Sequence, residues 1–403
     1  MRKLNKSIFL ACLAIVANTF LPVVEAAARP AKAAAAAQPA IAALDTITDK
    51  EWLSEPSIAL LGRVIAASSK EALDTAAKSD ARAQALAGSG YLVGAHGYPQ
   101  DNAEAARLLK LGARDNVIAQ VNYGVMLQDG RAGSGGWQAL AGAREHFNLA
   151  ASRGHPVASY NLAVFNRDGI ATEQNYSEAI RLFRFAASTP NVRQGQANYE
   201  VARMYDYGIG VAKDEELAKW YYGAAAELSH AESLFRLGDL RFGDAAMAES
   251  GDEYDFWTDA GEEFYRLAFA AFQRDAGAGD AYAMRRLGDL YRTGTGVVRN
   301  YEEAFSSYSA AADRGDGLAR LMTGRMQFEG QGIEKNEAAA VAIYRTLAEA
   351  GDVGGQMELA ALYLAGNGGL NKDIAEATRL YTLAARQGDE RARGVLKTLG
   401  KTW

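Results

Sequence analysis

A small residue followed six positions later by a turn residue, nearly always glycine, recurs along this chain about every 36 residues. Aligned on the small residue, eight copies open at Gly88, Gly124, Ala163, Ala202, Gly238, Gly288, Gly324 and Ala360, with spacings of 36, 39, 39, 36, 50, 36 and 36. Six residues on stand Gly94, Gly130, Gly169, Gly208, Asp244, Gly294, Gly330 and Gly366. This period constrains the fold more than any other feature. A unit of a few tens of residues cannot bury its own apolar face, so it must stack on its neighbours into a solenoid.

The unit Asp280–Asp316 is the clearest copy. Ala283, Leu287, Gly288, Leu290 and Tyr291 fall at helical spacing and predict a first helix with one apolar face. Gly288 in mid-helix costs about 1 kcal/mol against alanine, which makes sense where another backbone or ring must come close. Gly294 suits the left-handed conformation that ends such a helix, and Val297, like Val211 and Ile333, is placed to plug the turn. A second helix starts near Asn300, with Glu302 and Glu303 favourable in its first turn. Its inward face carries Ala304, Tyr308, Ala311 and Ala312, and Gly315-Asp316 passes the chain on. All seven prolines fall at or before Pro190, so the chain from Asn191 onward offers uninterrupted helix pairs.

These residues resemble the Sel1-like repeat family, relatives of the tetratricopeptide repeat with a longer inter-helix turn. Ala283 to Val297 meets the family pattern, Ala197 to Val211 meets it more loosely, and Ala218, Trp220 and Tyr221 supply the second-helix signature. The resemblance implies an all-α, right-handed α-solenoid of about eight Sel1-like helix-hairpin repeats with terminal capping helices. It runs over residues 80–389 and departs most at the 238 copy, where Asp244 replaces glycine and about fourteen residues are inserted. The 124 copy also has a divergent turn, from Gly130 to Trp137.

The ends read differently. Arg2, Lys3 and Lys6, the apolar run Ser7–Ala17 and a small-x-small step at Val24-Glu25-Ala26 are expected to form a signal peptide over residues 1–26. Its removal takes away the only cysteine, Cys12, and leaves a formal charge of −8, which disfavours nucleic acid and anionic membrane surfaces as partners. No membrane insertion is expected once the leader is cleaved. Residues 27–48, rich in alanine with Pro30 and Pro39, read as a flexible or semi-extended tether. Residues 49–79 read as N-terminal capping helices and residues 390–403 as a C-terminal capping helix.

No chemistry stands out. The Gly-x-Gly steps at 208–210, 294–296 and 330–332 follow helices and lack a third glycine, unlike a dinucleotide loop. His96, His146, His155 and His230 form no i, i+4 pair, and no catalytic, metal or cofactor residue is assigned. Binding positions are expected on the first helices, two before and one after each anchor: Asn122, Asn161, Arg203, Arg236, Asp239, Arg286, Asp289 and Arg325. A plain solvated face with self-contained salt bridges is the competing reading of those positions. The 50-residue spacing adds Tyr254, Phe256 and Trp257, either anchors on an acidic binding loop or the start of an extended second helix folded into the core.

The resemblance implies a non-enzymatic interaction module. The expectation is an exported scaffold or adaptor in the bacterial periplasm that binds a protein partner and needs no cofactor, with regulation of envelope sensors or assembly of polysaccharide or secretion machinery as its setting. An immunity-type inhibitor of a secreted effector is the alternative, and an envelope hydrolase comes last.

Overall fold

The computed structural model describes residues 30–133 and 135–403, so the expected signal peptide lies outside the described residues. Those residues form helices and turns with no strand, and they divide into two compact units, one ending at Ser134 and one beginning at Gly135. The single array expected over residues 80–389 is therefore split inside its second copy, at the glycine-rich turn after Gln128. A Cβ added at Gly130, Gly133 or Gly136 would meet no atom within 4 Å.

The first unit contains α1 (Pro30–Asp45), α2 (Asp49–Ser54), α3 (Ser57–Ala67), α4 (Lys70–Ala76), α5 (Ala81–Val93), α6 (Asn102–Gly112) and α7 (Val117–Gln128). The segment read as a tether is instead helical from Pro30 to Asp45. Alanine is the strongest helix former and Pro30 sits in the tolerated first turn; Pro39 lies inside the helix, and Ala40 and Leu44 beside it are fully buried as α1 packs on α3 and α4.

The second unit runs through α8 (Trp137–Ser152), α9 (Pro156–Asp168), α10 (Tyr176–Ser188), α11 (Gln194–Tyr207), α12 (Glu215–Glu227), α13 (Ala231–Ala246) and α14 (Gly251–Gly277). It continues with α15 (Ala281–Thr293), α16 (Tyr301–Asp313), α17 (Gly317–Glu329), α18 (Glu337–Glu349), α19 (Val353–Ala365), α20 (Ile374–Arg386) and α21 (Glu390–Thr398). Each helix packs chiefly on its immediate neighbours in the chain, which is the nearest-neighbour pattern of a solenoid. Leu396 and Ala392 of α21 are fully buried against the last hairpin.

Local sequence explains these boundaries. Asp280, Asp316, Asp352 and Asp389 each accept the N–H of the third residue into a first helix, and Asp214, Asn300, Asn336 and Asp373 do the same for second helices. Gly294, at φ +79°, ends α15 in the left-handed region. The turn is then closed by the Asn300 N–H, which donates to the Tyr291 carbonyl at 2.8 Å, and Asp214, Asn336 and Asp373 repeat this bond. Val297 packs on the adjoining core as expected, whereas Ile333 stays 37% exposed.

The small anchors mark close approaches. A Cβ at Gly288 would sit 2.6 Å from two ring carbons of Tyr308, and one at Gly238 or Gly324 would meet Tyr265 or Tyr344 at 2.5 and 2.8 Å. Each first helix thus lies directly against a bulky side chain of its own second helix. Phe183, Tyr222, Tyr308 and Tyr344 are almost wholly buried, as core aromatics at that register.

The 238 copy differs because Asp244 is not glycine. Without a left-handed stop, α13 runs on to Ala246 and reaches 16 residues where α15, α17 and α19 have 13. The insertion lengthens the partner helix too, so α14 has 27 residues against 13 in α12 and α16.

Candidate interaction surface

The first-helix positions singled out from the sequence are half-buried and bind one another. Glu200 accepts from Arg167 of the preceding first helix at 2.7 Å and from Arg203 at 3.3 Å. Arg236 reaches back to Asp206 of α11 at 2.9 Å and to its own Asp239 at 2.7 Å. Arg286 donates to Glu232 of α13 at 3.1 Å and to Asp289 at 3.4 Å. Arg325 meets Glu358 of α19 at 2.8 Å. In the first unit, Asn122 of α7 donates to Ser89 of α5 at 2.8 Å. Asn161 is partly exposed.

The two aspartates have a second task. Asp239 accepts the Tyr265 hydroxyl at 2.8 Å and Asp289 accepts that of Tyr308 at 2.6 Å. A buried phenol without an acceptor would be costly, so these carboxylates let a large ring enter the core. Burial and the nearby carboxylate push both phenols above the ordinary tyrosine range. The positions form a ladder of ion pairs that locks one first helix to the next. The self-contained reading describes them, because consecutive first helices bring charges some thirty to fifty residues apart into register.

Tyr254, Phe256 and Trp257 fit neither expectation fully. They lie on the first two turns of α14, so the segment is a helix and not a loop, yet Tyr254 is 51% and Phe256 61% exposed, so they do not enter the core. Trp257 is half-buried beneath the Arg241 guanidinium, 4.7 Å from its ring centre. The extended helix overshoots the hairpin it belongs to, and there is no neighbouring core for its first turns to join. Sequence reasoning passed over Trp220, placing it only in the second-helix signature, although it is 63% exposed beside this extension. Met247, 84% exposed, was also missed. Their signal is adjacency to the one copy whose turn glycine is lost.

His155 and His230 stand where other copies have the capping aspartate, and they cap in its place. The His155 Nδ1 accepts from the Ala158 N–H, and that of His230 accepts from the Ser233 N–H, both at 3.3 Å. Burial pushes each down to about 4, with Arg274 adding to the effect at His230. Among the described residues no group of three or more His, Cys, Asp or Glu side chains could hold a metal ion. No helix among them is long and apolar enough to cross a membrane. Clefts that adjoin α13 include one of about 380 Å³ lined by Tyr199, His230, Glu232 and Tyr282, and one of about 660 Å³ lined by Trp220, Met247 and Trp257.

Comparison with known proteins fits this architecture. The Sel1 repeat profile matches residues 81–117, 117–155, 156–188, 195–230, 281–316, 317–352 and 354–389. It passes over the hairpin α13–α14, the copy with Asp244 and the long second helix. Protein sel-1 homolog 2 of Mus musculus is 32% identical over 83 residues, which is 21% of this chain and 12% of the mouse protein. A protective antigen of uropathogenic Escherichia coli displaying an SLR fold is 26% identical, with 82% of this chain and 66% of that one covered at a TM-score of 0.46. A Sel1 repeat protein from Oxalobacter formigenes is 22% identical, with 66% and 96% covered at a TM-score of 0.48. With seven matched repeats spanning more than half of its length, the chain belongs to the Sel1 repeat family.

Proposed function

We propose that this chain is a non-catalytic interaction scaffold, exported to the bacterial periplasm, that holds a partner protein on its solenoid surface. The observation that carries this reading is the fate of its charged groups. Along the first helices, arginines and carboxylates close on one another across successive hairpins, and two histidines, His155 and His230, serve as helix caps. Groups that a reaction would use are thus committed to holding the stack. Exposed around α12–α14, among acidic side chains, are the large apolar ones of Trp220, Met247, Tyr254 and Phe256. Clustered exposed aromatic surface is typical of protein interfaces. Export rests on the charged and apolar pattern of the first 26 residues.

The test has two parts. Residues 1–27 fused to a reporter active only outside the cytoplasm are expected to give signal, and a silent fusion would overturn the location. Crosslinking in intact cells, followed by calorimetry with the purified partner, is expected to give a saturable complex with one envelope protein. Absence of any saturable partner, or turnover of an envelope polymer by the purified chain, would overturn the scaffold. Neutralisation of a toxic effector by the captured complex would identify the inhibitor form of the same reading.

A further inference from the structure

The hairpin that breaks the repeat pattern helps to line a groove. The extended end of α13, the first two turns of α14 and the middle of α12 enclose a cleft of about 660 Å³. Trp220 and Met247 line it while 63% and 84% exposed, and Trp257 forms a further wall. Phe256 continues the apolar surface, its ring edge-on to Trp257 with centroids 4.8 Å apart.

The cations in the groove are already neutralised. Lys219 lies 2.9 Å from Asp244 and 3.1 Å from Glu215, and Arg241 lies 2.9 Å from Asp244 while its guanidinium covers Trp257. Asp244, the residue standing in for the missing glycine, is the hub of these pairs. The exposed charge on the groove's α14 side is predominantly acidic, although Glu263 is already paired with Arg266. From Ala245 to Glu263 the chain carries seven carboxylates, Glu249 to Glu263, and no lysine or arginine. All seven are exposed.

We infer that this groove is the docking site for a positively charged protein segment bearing a large apolar anchor. The inference rests on the scaffold reading and deepens it by naming where the partner sits and of what kind it is. Apolar walls inside a carboxylate rim suit an aliphatic or aromatic side chain flanked by lysine or arginine. Anchors of that kind supply most interface energy, and rim charges supply orientation and encounter rate. An anionic ligand would be repelled. A neutral sugar would find the basic side chains of the floor already paired.

The test uses the chain without its first 26 residues and a labelled eight-residue peptide with a leucine–phenylalanine pair set among six lysines. Controls replace lysine by glutamate, or the apolar pair by two glycines. Fluorescence anisotropy is expected to show saturable binding by the first peptide, weakened at least fivefold between 50 and 300 mM salt, as rim charges are screened. Each control is expected to bind at least tenfold more weakly. Trp220→Ala with Met247→Ser is expected to lower peptide affinity at least tenfold while leaving the melting temperature unchanged, because both side chains are mostly exposed. Should that variant melt early, Phe256→Ser, further from the ion-pair hub, serves instead. Equal binding by the glutamate peptide, undiminished binding by the stable variant, or no binding of the basic peptide at millimolar concentration would overturn the groove. Partner capture in cells that survives in the groove variant would sink this inference alone and leave the scaffold reading standing. Absence of any partner for the unaltered chain would sink the scaffold reading first.

Discussion

Replacing Gly288 by alanine sets two effects of opposite sign against each other. Removing a mid-helix glycine favours the folded state by about 1 kcal/mol. The new methyl, however, would lie 2.6 Å from Cδ1 and Cε1 of Tyr308, about 1 Å inside ordinary carbon contact. That ring is fully buried and its hydroxyl is held by Asp289 at 2.6 Å and by Arg292 at 3.4 Å, so it cannot swing away without breaking those bonds. Overpacking of this kind costs about 1–3 kcal/mol, so the net expectation is destabilisation by up to about 2 kcal/mol. Urea titration followed by circular dichroism measures it. In a Tyr308→Leu background the clash is relieved, and the same glycine-to-alanine change is expected to become neutral or stabilising. A higher midpoint for the single variant, or an equal loss in both backgrounds, would refute close approach as the reason for the glycine.

Asp316→Ala removes the cap of α17, bonded to Ala319 at 2.8 Å, and a 3.0 Å partner of Arg285. It is expected to cost about 1–2 kcal/mol in urea titration, and Asp316→Asn, which keeps the cap, is expected to cost less. His155 and His230 are held at about 4, below their ordinary 6.5, so the unfolded chain binds more protons in between. Their contribution is complete above about pH 6.5 and is lost as pH falls toward 4, at up to about 1.4 kcal/mol per pH unit for each. Replacing both by the aspartate of the other copies is expected to flatten the melting temperature between pH 6.5 and 5. Phe272→Ala, in a site only 2% exposed, is expected to cost about 3–5 kcal/mol. Tyr254→Ser with Phe256→Ser, at the other end of the same helix, is expected to change thermal stability by under about 0.5 kcal/mol.

The hairpin fold was legible from residues whose roles are local. Gly294 ends a helix because of its own backbone freedom, Asn300 starts one through its own side chain, and the spacing of Ala283, Leu287 and Leu290 defines a face without reference to any neighbour. Even Gly288 announced a close approach, since nothing else justifies glycine in mid-helix. The Arg286–Glu232 pair, 54 residues apart, was not legible, because it depends on how far each hairpin is offset on the last. That offset belongs to the stack and not to any one unit. Asp289 looked like a surface charge for the same reason; only the packed ring of Tyr308 reveals it as the half-buried acceptor of that phenol. The alanines of α1 were read through their prolines, while their helix is seated by burial of Ala40 and Leu44 as α1 packs on α3 and α4. Around Trp257 the sequence offered a loop or a core helix. The fold made an exposed helix, because losing one turn glycine let α13 and α14 outrun the neighbours that would have buried them.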